Sequence, residues 1–224
     1  MKTWQTSGGP KQGDTHAARW LKWPALALMI AAAVLLTKSW WMPESDDMRR
    51  FKADWKTCKA SESAEVQLQA CTRLVFSKWL GKSDLADAYN NLGLAYWRLD
   101  RFEQSLIPYN VAIELNPNHD SAYMNRGNSY AFLKKDSLAI ADYTRALEIN
   151  PKDDFAYMNR GTTYFALSDF RRAILDFDQA IKLKPKDAGL LMKRGHAWRY
   201  LGQNAKADAD FAAARAIDPK IDVD

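Results

Sequence analysis

The sequence predicts an all-α repeat protein carried behind an apolar N-terminal segment, and three observations support this reading. Glycines at Gly93, Gly127, Gly161 and Gly195 recur every 34 residues. Prolines at Pro117, Pro151, Pro185 and Pro219 keep the same step. An apolar run flanked by tryptophans, WLKWPALALMIAAAVLLTKSWWM, begins at Trp20. A fixed period of about 20–50 residues marks stacked units, each too small to bury its own apolar face. Hydrophobic residues make up 47% and charged residues 26% of the chain, as in folded proteins with a core. The net charge of +5 comes from 32 basic and 27 acidic side chains, so basic residues coat exposed helix faces. That balance allows contact with anionic headgroups or acidic partners, and no nucleic acid is expected.

Residues 1–19 are polar and lack any hydrophobic period, which predicts a disordered tail. The charge-free stretch from Trp23 to Thr37 is 15 residues long. As a helix it covers about 22 Å, against about 30 Å for a bilayer core. Lys22 and Lys38 can reach outward to the headgroups, and Trp20, Trp23, Trp40 and Trp41 form a belt at each end. A single transmembrane anchor over 20–41 follows. The rival reading, a cleaved signal peptide, cuts at Ala31-Ala32-Ala33 and strands Val34-Leu35-Leu36 on the mature terminus. Basic residues flank the run on both sides, so charge counting does not orient it.

Cys58 and Cys71 are the only cysteines, with no third cysteine or nearby histidine to complete a metal site. On one straight helix they stand about 20 Å apart, too far for a disulfide. The polar Ala60-Ser61-Glu62-Ser63 between them supplies a turn, and a hairpin there brings them together. Residues 45–84 are therefore read as a degenerate helix hairpin with a cysteine pair, in which Gly81 to Asp84 form a short insertion. A disulfide favours an oxidising compartment. The expectation is a bacterial inner-membrane protein with its repeats in the periplasm; two free thiols in a cytoplasmic protein are the alternative.

The repeat register extends well beyond glycine and proline. Tyr96, Tyr130, Tyr164 and Trp198 follow the glycines by three, and Tyr109, Tyr143, Phe177 and Phe211 come next. Ala112, Ala146, Ala180 and Ala214 complete the pattern. The unit KDDFAYMNRGTTYFALSDFRRAILDFDQAIKLKP resembles the tetratricopeptide repeat (TPR). That resemblance implies two antiparallel helices per unit, stacked into a right-handed α-solenoid with a concave groove. Four units are assigned, 85–119, 120–153, 154–187 and 188–221, with the alanine-rich 205–217 capping the stack. Pro108, inside the second helix of the first unit, is expected to bend or loosen that helix.

The residue before each glycine is Leu92, Arg126, Arg160 and Arg194, and sixteen later stand Pro108, Asp142, Asp176 and Asp210. Arginine and aspartate appear and disappear together. This predicts ion pairs Arg126–Asp142, Arg160–Asp176 and Arg194–Asp210 across each hairpin.

Catalytic chemistry finds little support. His16, His119 and His196 are scattered, and Gly81-Lys82-Ser83 lacks the earlier glycine of a phosphate loop because residue 76 is Phe76. No enzyme activity and no cofactor are expected. The groove is the expected working surface. Asn91, Asn125, Asn159 and Lys193 stand two residues before each glycine, and Leu94, Asn128, Thr162 and His196 one after. An asparagine ladder offers donors and acceptors to an extended peptide; the bland alternative is that these amides only solvate or cap helices. Phe132, Phe165, Arg199, Tyr200, Trp97 and Arg98 add stacking and charge. TPR domains that clamp a C-terminal carboxylate use lysine, asparagine and arginine here. Asn128, Asn159 and Lys193 fit part of that set, but Met124 replaces a lysine. The resemblance implies a membrane-anchored scaffold binding a protein or peptide. The alternative is an envelope assembly factor or chaperone holding a maturing client, as in cytochrome biogenesis.

Overall fold

The computed structural model describes residues 45–222; the tail over 1–19 and the anchor over 20–41 lie outside the described residues. The chain divides into two compact units, Met1–Met48 and Arg49–Asp224, and the packing below belongs to the second. The described residues form ten helices and no strand. They are α1 (Asp46–Lys59), α2 (Ala64–Val75), α3 (Lys82–Arg98), α4 (Phe102–Leu115), α5 (Asp120–Phe132), α6 (Asp136–Ile149), α7 (Asp154–Ala166), α8 (Phe170–Leu183), α9 (Ala188–Tyr200) and α10 (Asn204–Ile217). Among the described residues, no helix is long and apolar enough to cross a membrane.

Local chemistry sets where each repeat starts and turns. His119, Asp153 and Asp187 cap the first helices of repeats two to four, their side chains accepting from Ala122 N, from Phe155 N and Ala156 N, and from Leu190 N. The turn into each second helix passes through one left-handed residue: Asp100 (φ 56°), Lys134 (58°), Ser168 (61°) and Gly202 (72°). Only the last of these carries no Cβ, so the other three bear the steric cost of that conformation.

Within each hairpin, a ring from the second helix lies directly on the glycine of the first. A Cβ placed on Gly93 would come 2.5 Å from Tyr109 Cε1, and on Gly195 2.5 Å from Phe211 Cε1. The periodic glycine is therefore a spacing requirement of the packed ring. Each second helix then packs on the next first helix, so contact passes from hairpin to hairpin along the stack. First helices of successive repeats also touch one another, whereas no comparable contact joins the second helices. The first helices thus occupy the inner, shorter-radius side of the stack and line its groove.

The N-terminal hairpin α1–α2 is closed by a Cys58–Cys71 disulfide with a Cα–Cα distance of 4.8 Å. Cys58, Cys71, Leu74 and Val75 form one buried cluster with Ala88 and Leu92 of α3, which docks the hairpin on the first repeat. Residues 82–84 are helical and belong to the start of α3, which has 17 residues against 13 in the first helix of each later repeat. The helix α4 runs unbroken through Pro108, whose buried ring takes the place aspartate holds in the other repeats.

Opposite effects are expected from two substitutions measured by chemical denaturation. Gly127→Ala drives a methyl into the Tyr143 ring, 2.8 Å from its Cε1, and should lower stability by about 1–3 kcal/mol. Ser168→Gly relieves the left-handed turn and should raise it by about 1 kcal/mol.

Candidate peptide-binding groove

The arginines before the glycines are held inside the stack. Arg126 donates from Nε and Nη2 to Asp142 at 2.7 and 2.7 Å, Arg160 to Asp176 at 2.9 and 2.8 Å, and Arg194 to Asp210 at 2.8 and 2.6 Å. Each also donates from Nη1 to the second helix of the preceding repeat: Asn110 Oδ1 (2.7 Å), Thr144 Oγ1 (2.9 Å) and Asp178 Oδ1 (2.6 Å). Burial works against the charge on Arg126, but the Asp142 carboxylate, together with Tyr130 and Tyr123, outweighs it and holds the guanidinium above its ordinary range. For Arg160 and Arg194 the bond to the partner carboxylate is the larger effect, opposed by burial, with the same direction. These side chains hold three helices together and are already occupied as far as any ligand is concerned.

The groove amides engage one another. Asn125 Nδ2 donates to Asn90 Oδ1 at 3.0 Å, and Asn159 Nδ2 donates to Asn128 Oδ1 at 2.9 Å. The Tyr143 hydroxyl donates to the same Asn128 oxygen at 2.8 Å. The adjacent residue, Asn90, rather than Asn91, meets α5. The ladder thus consists of two inter-repeat amide bridges, and each amide keeps only part of its hydrogen-bonding capacity for a ligand. Arg98 is also committed: it donates to Ser61 O (2.8 Å), Gln67 Oε1 (2.7 Å) and Glu62 O, tying the turn of the disulfide hairpin to α3.

Farther along the inner face, a cavity of about 310 Å³ opens between α7 and α9. Phe165, Phe177, Met192 and Tyr200 supply apolar walls; Thr162, Lys193 and His196 supply the polar edge. His196 packs 5.1 Å from the Phe211 ring, and the Arg199 guanidinium sits 4.4 Å over the same ring. Burial, then the charges of Arg199 and Lys193, push the His196 imidazole below its ordinary pKa. Near neutral pH the cavity edge therefore carries the Lys193 cation beside a neutral imidazole, with Arg199 close by over the Phe211 ring. Among the described residues no group of three or more His, Cys, Asp or Glu side chains is placed to hold a metal ion.

A tetratricopeptide repeat profile matches residues 121–153 and 155–187, and a second matches 86–119. The chain is a tetratricopeptide repeat protein. No curated protein sequence matches it. Solved structures of MamA are similar in fold: a MamA RS-1 ArsTM double mutant at 19% identity and TM-score 0.69, covering 81% of this chain and 100% of that one. MamA 41-end from Desulfovibrio magneticus RS-1 matches at 18% and 0.68, over 80% and 99% of the two chains. A crystal structure of MamA protein matches at 18% and 0.64, over 76% and 91%. At these identities the likeness concerns the fold alone.

In this TPR stack the structure brings Thr162, Phe165, Lys193, His196 and Tyr200 around one cavity, and Asn125, Asn128 and Asn159 into bridges. Trp97 and Phe132 lie in a separate aromatic cluster with Phe102. Sequence reasoning missed Asn90, Phe177 and Met192, together with the third arginine partner. That partner column, Asn110, Thr144 and Asp178, also recurs every 34 residues and is polar throughout.

Asn128 explains a tyrosine, and its absence leaves another stranded. In the first repeat Leu94 takes the place of Asn128, and the buried Tyr109 hydroxyl has no partner. Tyr143→Phe removes a made bond and should cost about 1 kcal/mol, whereas Tyr109→Phe removes an unmade one and should be neutral or stabilising. Thermal unfolding of the two variants side by side checks the contrast.

Proposed function

We propose that this protein is a membrane-anchored scaffold whose groove binds an extended segment of a protein partner. The observation that carries the reading is the cavity between α7 and α9, with apolar walls and a cationic edge on the inner face of a TPR stack. Such a site accepts an apolar side chain followed by an acidic one, and backbone contacts fall to the remaining capacity of Asn125, Asn128 and Asn159. Tetratricopeptide arrays are protein-interaction scaffolds, and a rigid stack holds its groove open before a partner arrives, which reduces the ordering cost of binding.

The anchor over 20–41 places the repeats beside a membrane in this reading, and the periplasm of a bacterial inner membrane is the proposed compartment. The Cys58–Cys71 disulfide supports an oxidising environment, since such bonds are rare where thiols are kept reduced.

Crosslinked pull-down of the intact membrane protein, compared with Thr162→Glu/Lys193→Glu, tests the groove. Together the substitutions turn the cavity edge from cationic to anionic without touching the arginine bridges. Partner recovery should fall at least about fivefold while the thermal unfolding midpoint holds. Equal recovery by both forms overturns the proposal.

A further inference from the structure

The joints between repeats are not equivalent. Where the first repeat meets the second, Phe102 stacks on Phe132 with ring centroids 4.6 Å apart, and Trp97 meets Phe132 edge-on at 5.6 Å. Where the third meets the fourth, Phe170 stacks on Tyr200 at 4.8 Å, and Phe165 meets Tyr200 edge-on at 5.4 Å. The two trios fill the same three columns, two repeats apart. At the middle joint those columns hold Ala131, Asp136 and Ala166. The backbone frame repeats without the rings, and these three residues line a cavity of about 330 Å³ between α5 and α7, whereas two rings of the Phe165 trio line the cavity between α7 and α9.

We infer that the middle joint is an anchor site for one tyrosine side chain of a partner protein. The sister joints show what this frame accommodates, since each holds an aromatic stack. Phe132 lines the cavity and remains 57% exposed although Phe102 stacks on it. Ala131 and Ala166 leave the room a ring requires. Asp136 distinguishes tyrosine from phenylalanine: it lines the cavity where Phe102 and Phe170 stand at the filled joints, and its carboxylate can accept a hydrogen bond. A phenol hydroxyl donates to that carboxylate while its ring packs on Phe132. Lys134, on the same rim, balances the carboxylate and leaves the site near neutrality, which suits an uncharged side chain.

This site lies on the other side of α7 from the cavity next to α9, and Thr162 borders both. It goes beyond the groove proposal, and its test needs no partner protein. The full chain, labelled for NMR, is titrated with N-acetyl-tyrosinamide and, separately, N-acetyl-phenylalaninamide, and the Ala131 and Ala166 methyl signals are followed. Tyrosinamide should give saturable shifts and bind at least threefold more tightly than phenylalaninamide. Asp136→Phe/Ala166→Tyr rebuilds the missing stack; it should raise the unfolding midpoint and weaken tyrosinamide binding at least tenfold. Asp136→Asn, which keeps the cavity open, should reduce the preference for tyrosinamide to less than twofold and serves as the reading if the double variant fails to fold. Absence of saturable shifts, equal binding of the two amides to the unsubstituted protein, or an unchanged preference in Asp136→Asn overturns the inference.

Discussion

The structure depends on one side chain used three times: an arginine that joins three helices. Arg126, Arg160 and Arg194 each fork onto a carboxylate of their own hairpin and reach back with the third nitrogen to the preceding one. A planar guanidinium suits this task because its donors point in fixed directions. The bond across the hairpin sets how the two helices lie, and the bond backward sets how one hairpin lies on the next. Since the same frame recurs, the inner faces of α5, α7 and α9 are aligned, and the spaces between them become cavities of similar size. What fills each space is then a matter of a few side chains.

The first repeat shows what happens without this arginine. Leu92 and Pro108 replace the pair, and Leu92 joins the buried cluster that receives the disulfide hairpin. Apolar docking, a covalent bridge and Arg98 on the hairpin turn take over from the ionic clamp. The change suits the position, because the neighbour there is α2, a short helix that packs cysteine, leucine and valine against Leu92 and offers Gln67 to Arg98.

Much of this was legible in the sequence because the contacts that recur are sterically demanding. A ring on a glycine tolerates no other residue at that spacing, so the period survives in every unit. Arginine and aspartate were legible as a pair because both vanish together in the first repeat. The backward contact was harder to see: Asn110, Thr144 and Asp178 share polarity but no chemical type. The bridges between the groove amides were hidden for a different reason. They run 35 residues from Asn90 to Asn125 and 31 from Asn128 to Asn159, so neither follows the repeat period. Asn91 and Asn90 are neighbours in sequence, and only helical phase decides which one faces α5. Arg98 looked available for a ligand because its partners lie in a turn more than thirty residues earlier. The alternating aromatic joints follow two repeats rather than one, a period that column-by-column reading at 34 residues averages away.

The most direct test of this account is a double-mutant cycle on a backward contact, Arg194 with Asp178, where Nη1 and Oδ1 are 2.6 Å apart across two repeats. Urea unfolding of Arg194→Met, Asp178→Ala and the double variant isolates their coupling from the Asp210 fork, which the cycle leaves common to both arms. The account predicts a favourable coupling of about 1 kcal/mol, reduced by salt because Asp178 is partly exposed. A coupling indistinguishable from zero at low salt would contradict the claim that arginine fixes one repeat upon the next.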